Sequence, residues 1–277
     1  DLADVVEHGS RAQQVSIAEA ALHGDRVPVA PVVEQVQRHA GDAVGVLMDN
    51  RVAVFVVAGA LAKIGAIAAL VNTNQRGGVL LHSFTVAKCA AMVIGEEHWD
   101  AFLKVAKSVK VPVERRFWVA DAPNSAGCGP LDEVPAPEVP ADCVDLGAAS
   151  FDLARENPVW TQAVRLGDPC FYIFTSGTTG LPKASVMTHM RWTKAGSAYG
   201  EAMLALTPDD CIYAPLPLYH NTALSIGWGS AATTGASIAI RRKFSASAYW
   251  EDCRHFAATA LVYIGELPRY LLAADSS

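Results

Sequence analysis

From Ala43 onward the chain alternates short apolar runs with polar breaks. Ala43 to Met48 (AVGVLM) is apolar throughout and ends at Asp49-Asn50. Such a run fits a strand buried on both faces, as in a parallel sheet, followed by helix-capping residues. Val52 to Val71 is nearly all apolar, interrupted by Lys63 and Gly65. Its length would reach across a bilayer, but a lysine at mid-depth is costly in lipid. The reading is therefore a helix, Gly65 as its C-terminal cap, and a strand. Asn72 to Gly78 supplies a polar loop at the carboxyl end of that strand, where α/β sheets bind ligands; its Arg76 reads as a solvated loop residue. Val79 to Val86 is expected to be helical, Cys89 to Ile94 a short buried strand, and Glu96 to Val109 a surface helix.

Between Val111 and Pro140 this rhythm is lost, and six prolines fall in the stretch, at 112, 123, 130, 135, 137 and 140. It reads as an irregular connection. The pattern resumes at Asp168. Thr188 can cap a helix running from Met190 to about Leu206, Cys211 to Leu216 reads as a strand, and a further helix begins near Asn221. The small residues of that helix, Ala223, Gly227, Gly229, Ala231 and Ala232, suit either a channel wall or close packing against a sheet; Trp228 reads as core. Ser237 to Ile240 is a strand followed by Arg241-Arg242-Lys243, a basic triplet that reads as a solvated edge. Ser245 or Ser247 is expected to cap the next helix, with Glu251 and Asp252 in its first turn and Tyr249, Cys253 and Phe256 on its inner face. Ala260 to Ile264 is a last strand, and a helix with Pro268 near its start follows. Asp1 to Ala40 carries little beyond a short helix at Ala18 to Leu22. The organisation expected is residues 1–40 as a poorly patterned start, 41–110 as a first α/β subdomain, 111–165 as connection, and 166–277 as a second α/β subdomain.

Composition narrows the classes of function. The 277 residues are 51% hydrophobic and 18% charged, with mean hydropathy +0.22, ample for a sizeable core. A net charge of −6 and an isoelectric point near 5.7 give no attraction to nucleic acid. Six cysteines lie at 89, 128, 143, 170, 211 and 253 without a C-x-x-C pair or zinc-site spacing, so they read as reduced thiols and no metal site is expected. No charged start followed by an apolar segment indicates secretion, and the first residue, Asp1, suggests a fragment or a processed chain.

The chemistry concentrates between Phe171 and Met187, FYIFTSGTTGLPKASVM. Apolar residues run directly into Thr175, Ser176, Gly177, Thr178, Thr179 and Gly180; Leu181, Pro182 and Lys183 lead into a second apolar run. The order is strand, hydroxyl-and-glycine loop, strand. Glycines let consecutive backbone N–H groups approach one anion, and the hydroxyls and the ammonium of Lys183 add donors, a composition suited to a polyphosphate. The spacing departs from G-x-x-x-x-G-K-[ST] and from G-x-G-x-x-G, both of which lead into a helix.

TSGTTGLPK resembles the phosphate-loop signature of the acyl-adenylate-forming enzymes, the superfamily of acyl-CoA synthetases, luciferases and peptide-synthetase adenylation domains. LPLYH (216–220), KFSASAYWEDC (243–253), YIGELPRYLL (263–272) and NTNQRG (72–77) resemble the fatty acid transport protein and very-long-chain acyl-CoA synthetase branch. The resemblance implies layered, mostly parallel sheets flanked by helices, as in the large N-terminal domain of acyl-CoA synthetases. It implies an ATP-dependent acid–thiol ligase that activates a long- or very-long-chain fatty acid as an acyl-adenylate and passes it to coenzyme A, with Mg2+ on the nucleotide. Thr175, Ser176, Gly177, Thr178, Thr179, Gly180 and Lys183 would hold the β- and γ-phosphates, with Lys183 also bearing the charge of departing pyrophosphate. His220 would stand near the acyl carboxylate. A cytoplasmic location is implied, with peripheral contact at the inner face of the plasma membrane left open. The family's later tyrosine-glycine-threonine-glutamate motif, its ribose-binding aspartate and the lysine of its mobile lid do not occur in this sequence, and Asp1 to Ala40 does not match. This chain is accordingly expected to be an N-terminal portion with little ligase activity of its own; the alternatives are a fatty-acid binding or uptake protein without ligase activity, and a non-functional gene fragment.

Overall fold

The structure, a computed structural model, describes residues 12–16, 41–120, 138–147, 159–176 and 180–274. The expected helix at Ala18 to Leu22 lies outside them. Strand β1 (Ala12–Ser16), in a stretch where no strand is expected, is followed by β2 (Ala43–Leu47), helix α1 (Val52–Lys63) and β3 (Ile67–Leu70), the last three as the apolar runs predict. Gly65 ends α1 with a positive φ of 74°, a conformation glycine adopts without a Cβ penalty. Helix α2 (Gly77–Val86), β4 (Cys89–Gly95) and α3 (Trp99–Ala106) complete the first half; Glu96–His98 forms a 3-10 turn before α3, whose Trp99, Phe102 and Val105 are buried. No helix among the described residues is long and apolar enough to cross a membrane.

The stretch expected to be irregular contains β5 (Arg116–Val119), and β6 (Val144–Asp145) follows it. Four residues between a proline-led turn and a long connection carry no period, and only pairing with β4 reveals the strand; Phe117 and Trp118 are buried on its opposite faces. β7 (Pro169–Ser176) and β8 (Pro182–Thr188) form an antiparallel hairpin. Helix α4 (His189–Ser197) starts with Thr188, whose Oγ1 accepts the Arg191 amide, and continues as a π-helical turn to Met203. β9 (Cys211–Ala214), a π-helical turn at Thr222–Trp228 running into α5 (Gly229–Thr234), and β10 (Ser237–Arg241) come next. The chain ends on α6 (Tyr249–His255), β11 (Ala260–Leu261) and α7 (Leu267–Ala274).

Three expectations are corrected here. The N-cap of α6 is Ala248, with Ser245 Oγ accepting the Ala248 amide at 3.4 Å, so neither serine is the cap residue. β11 stops at Leu261 and, among the described strands, pairs with β9 at the edge of its sheet; Tyr263 and Ile264 beyond it are exposed. Arg241 is buried, not a solvated edge: its Nη1 donates to both carboxylate oxygens of Asp252, and Tyr213 Oη donates to the same carboxylate at 2.6 Å.

The described strands form two sheets. One runs β6-β5-β4-β2-β3-β7-β8, parallel except at the β7–β8 edge; the other runs β1-β10-β9-β11, parallel except where β1 pairs β10. β7 is hydrogen-bonded to β3, so the hairpin expected to open a second subdomain belongs to the first sheet, and sheet membership changes after Thr188. Alternate strand residues point to opposite faces. Val44 and Val46 of β2, Ile238 and Ile240 of β10, and Phe55, Leu61 and Trp228 share one core between the sheets. Leu47, Ile94 and Trp118 pack with α2 and α3 on the far face of the larger sheet, and Tyr213 and Ala239 with α6 and α7 on the far face of the smaller. Among the described residues these make five layers: helix, sheet, helix, sheet, helix.

The small residues of the 222–234 segment serve close packing. A Cβ on Gly196 of α4 would overlap the carbonyl of Gly229, coming within 2.6 Å of its carbon, and one on Gly227 would stand 3.2 Å from Ala214 Cβ. Backbones in such contact leave no channel between them. Gly196→Ala is expected to lower stability by about 1–3 kcal/mol, because backbone must shift to admit the methyl. Urea unfolding measures it, and an unchanged midpoint would show that α4 and α5 do not pack this way.

Candidate functional site

Parallel strands gather their carboxyl ends along one edge, and chemistry in open α/β sheets collects there. On this edge stand Asp49-Asn50-Arg51 after β2, the 72–76 loop after β3, the hydroxyl-and-glycine loop after β7, and the 215–220 loop after β9. Asp49 and Asn50, expected to cap α1, do not; the N-cap is Arg51, whose side chain makes no capping hydrogen bond. Asn50 instead joins the two sheets. Its Nδ2 donates to Leu216 O at 2.7 Å and to Arg241 O at 3.2 Å, and its Oδ1 accepts the Leu218 amide at 2.8 Å. The loop carrying Tyr219 and His220 is thereby fixed against the end of β2. Nothing in the one-dimensional pattern announced this role beyond a polar triplet directly after a fully buried strand.

Asp49 and Arg51 face the other way, toward β4 and β5. His98 Nε2 donates to Asp49 Oδ1 at 2.8 Å, and the Asp49 amide donates to Glu97 Oε1 at 2.8 Å. Arg51 Nη1 stands 3.3 Å from Glu97 Oε2, and its guanidinium also donates to the carbonyls of Val119 and Ala120. Burial opposes ionisation of Asp49, but the His98 hydrogen bond and the charges of His98, Lys243 and Arg242 outweigh it and hold its carboxyl below the usual range. The donor atoms of Asp49, Glu97 and His98 lie within 4.8 Å of one another, the reach of a metal site. The group does not suit Mg2+: one Asp49 oxygen is engaged by an imidazole N–H, Arg51 already balances Glu97, and Lys243 Nζ is 4.0 Å from Asp49 Oδ2. The cluster is a structural ion network tying β2 to β4 and β5.

The β7–β8 hairpin carries the phosphate-type loop. Ser176 pairs Pro182, and one step back Thr175 faces Lys183 directly across the ladder. Residues directly opposite in an antiparallel pair share a face, so the Thr175 hydroxyl and the Lys183 stem lie side by side, both exposed. Gly177, Thr178 and Thr179 lie outside the described residues. Gly180 has φ +81°, where side chains are strained, and no atom would meet a Cβ there; its requirement for glycine is conformational. From the other side His82 Nε2 donates to Pro182 O at 3.0 Å, so α2 anchors the hairpin just past the loop.

His220 ends the 215–220 loop. Its ring stands tilted by 58° against Tyr219 with centroids 4.6 Å apart, and the residue is exposed. Partial burial pushes the imidazole pKa below the usual 6.5, so the ring is mostly neutral at neutral pH. Tyr219 is also held by the loop after β3, since Asn74 Nδ2 donates to its hydroxyl at 3.2 Å. β3 is the parallel neighbour of β7, so the loop holding Tyr219 and the phosphate-type loop leave adjacent strands at the same end. Arg76, in the same turn, is exposed and donates to the carbonyls of Thr73 and Gln75.

A sequence profile described as AMP-binding enzyme matches residues 25–277. The medium/long-chain-fatty-acid–CoA ligase FadD6 of Mycobacterium tuberculosis is 39% identical over 232 residues, 84% of this chain and 35% of that protein. Long-chain fatty acid transport protein 2 of Rattus norvegicus is 38% identical over 83% of this chain and 35% of its own length. The chain thus spans about a third of the length of the curated relatives it matches. Among solved structures, Mycobacterium smegmatis MbtA superposes with TM-score 0.71 at 22% identity, covering 93% of this chain and 44% of that one. The N-terminal domain of FACL13 from Mycobacterium tuberculosis gives 0.69 at 20% identity, covering 91% and 57%. At these identities the structural likeness is one of fold.

Asn50→Ala removes the donor shared by two carbonyls and the acceptor of one amide and is expected to cost about 2–4 kcal/mol. Denaturant unfolding reads the loss, and a cost within about 0.5 kcal/mol would mean that the seam is held elsewhere. By proton NMR, the His220 ring is expected to titrate below 6.5. A midpoint above that value would mean that an anion, and not Tyr219, dominates its surroundings.

Proposed function

This chain belongs to the AMP-binding enzyme family, and on that premise we propose that it carries the phosphate-holding and acyl-facing parts of an ATP-dependent fatty acid–CoA ligase. One observation carries the reading. The TSGTTGLPK loop stands at the carboxyl end of β7, and the adjacent strand β3 ends in a loop that holds Tyr219 beside His220. A polyphosphate cradle at the end of β7, with the neighbouring loop after β3 holding the histidine-bearing segment of the other sheet, suits a reaction that joins a nucleotide to an acid.

In the first step a carboxylate oxygen of the fatty acid bonds to the α-phosphorus of ATP, and the bond to the bridging oxygen breaks with release of pyrophosphate. Charge accumulates on the leaving group, and donors already fixed near it stabilise it without reorganising. Thr175 and Lys183 are such donors on the described part of the loop, and Ser176 to Gly180 complete the proposed cradle. Catalysis of this kind is positional and electrostatic, with no covalent bond to the protein. His220, mostly neutral at neutral pH, would orient the acid by hydrogen bonding without neutralising the carboxylate that must attack. In the second step the thiol of coenzyme A, having lost its proton, bonds to the acyl carbon and AMP departs.

Magnesium would be held by the phosphate oxygens themselves and would offset their charge, since the described strands of the loop offer hydroxyl and ammonium groups and no carboxylate. The long-chain preference rests on the named relatives, a medium/long-chain-fatty-acid–CoA ligase and long-chain fatty acid transport proteins.

Calorimetric titration of this chain with Mg-ATP at low salt tests the cradle. Binding is expected, and Lys183→Ala, on an exposed position of β8, should weaken it about tenfold, or about 1.4 kcal/mol. Either no binding by the parent chain or an unchanged constant in the variant would remove the proposed role of the loop.

A further inference from the structure

On the far face of the larger sheet, where α2 ends and β4 begins, lies a cavity of about 210 Å³. Its floor is Phe84, Met92, Val109 and Val111, all buried, with Cys89 among them. Sites for drug-sized ligands start at roughly 300 Å³, so this space suits a single ring and little more. Cys89 opens β4 and Gly95 ends it, which puts the carboxyl-terminal edge of the sheet roughly 20 Å away along the strand.

The rest of the lining is polar and exposed: Lys88, Lys110, Thr85 and Ser108. No carboxylate lines the cavity, and among the described residues neither lysine is ion-paired. Burial pushes the Cys89 thiol up to about 12, so it adds no negative charge to the floor. The charge of the site is thus wholly positive in a chain whose net charge is −6. Lys88 is also held where a lysine is ill suited. It follows Ala87, the C-cap of α2, and has φ +51°, the left-handed position that glycine usually fills after a helix. A cation in the last turn of α2 would complement the helix dipole without that strain, yet the turn carries none. The strained position instead brings Lys88 to the cavity that Lys110 also lines.

We propose that this cavity binds a small, single-ring aromatic phosphate, with the ring on the floor beside Phe84 and Met92 and the dianionic head group between Lys88 and Lys110. The ring of Phe84 and the sulfurs of Met92 and Cys89 favour an aromatic group. A tetrahedral head offers three terminal oxygens, enough to meet two ammonium groups and the Ser108 hydroxyl together. A sulfate ester has the same shape with a single charge, whereas a phosphate monoester carries nearly two at neutral pH and gains more from the paired cations. The site stands at the amino-terminal end of β4, shares no residue with the nucleotide loop, and is independent of the ligase reading.

Methyl NMR of the chain labelled with carbon-13 at its methionine methyls, titrated with phenyl phosphate, tests this; Met92→Leu identifies the Met92 signal. That signal is expected to move along a saturable curve, because a ring seated beside the methyl shifts it. Inorganic phosphate, the head group alone, should bind at least about tenfold more weakly, phenyl sulfate several-fold more weakly, and benzyltrimethylammonium should leave the methyl unmoved. Lys88→Gly removes the cation and the backbone strain together, so the urea midpoint should rise while phenyl phosphate binding weakens about tenfold, a pairing that loss of fold does not produce. Lys110→Gln should weaken binding comparably, and Lys183→Ala should change nothing at Met92. An unmoved Met92 methyl would overturn the proposal, as would phenyl sulfate, inorganic phosphate or the cationic ring binding as well as phenyl phosphate. Full affinity in Lys88→Gly/Lys110→Gln would equally defeat it. A midpoint that falls in Lys88→Gly would mean that this lysine serves the helix and not a ligand, and loss of the response in Lys183→Ala would move the ligand to the phosphate-type loop; either result counts against the site.

Discussion

The carboxamide of Asn50 closes the seam between the two sheets. Where β2, β9 and β10 end, backbone carbonyl and amide groups meet at a buried edge between the sheets. Asn50 supplies two donors and an acceptor from a single side chain and meets Leu216, Arg241 and Leu218 at once. The consequence is positional. The loop that presents Tyr219 and His220 cannot shift independently of β2, and through Asn74 it is also tied to the end of β3.

Around that seam the polar groups are arranged by sheet. Asp49, Glu97, His98 and Arg51 bind β2 to β4 and β5, while Arg241, Asp252 and Tyr213 bind β10 and β9 to α6. Both networks hold buried charges in pairs with additional hydrogen bonds, the condition under which burial of an ion is tolerated. Neither faces the loop of β7, whose described side chains, Thr175 and Lys183, remain exposed. Fixed charge is used to build the frame, and the donors at the loop are left available.

The helices between the sheets follow a different rule. Gly196 and Gly229 bring α4 and α5 to backbone contact, and Trp192 and Trp228 then fill the space toward α1 and Phe171. Close approach at one point and bulky rings at the next leave a cavity at the amino-terminal end of β7, distant from the carboxyl-terminal loops. A single hairpin thus presents a hydroxyl-rich turn at one end and an aromatic wall at the other.

Local pattern was enough for the elements whose neighbours along the chain define them. The buried runs of β2, β3, β4, β7 and β9, the helix ended by Gly65, and the strand-loop-strand around TSGTTGLPK follow from apolar continuity and from what glycine and hydroxyl residues permit. Contacts distant in sequence decided the rest. β1 and β5 are too short to carry a period and exist by pairing with β10 and β4, and the hairpin joins the first sheet because β7 finds β3 across a hundred residues. Arg241 reads as a surface charge until Asp252 is placed against it, and Asn50 reads as a helix cap until two sheets meet at its amide. Pairing and burial depend on which segments share a neighbourhood, and that is fixed only once the whole chain has folded.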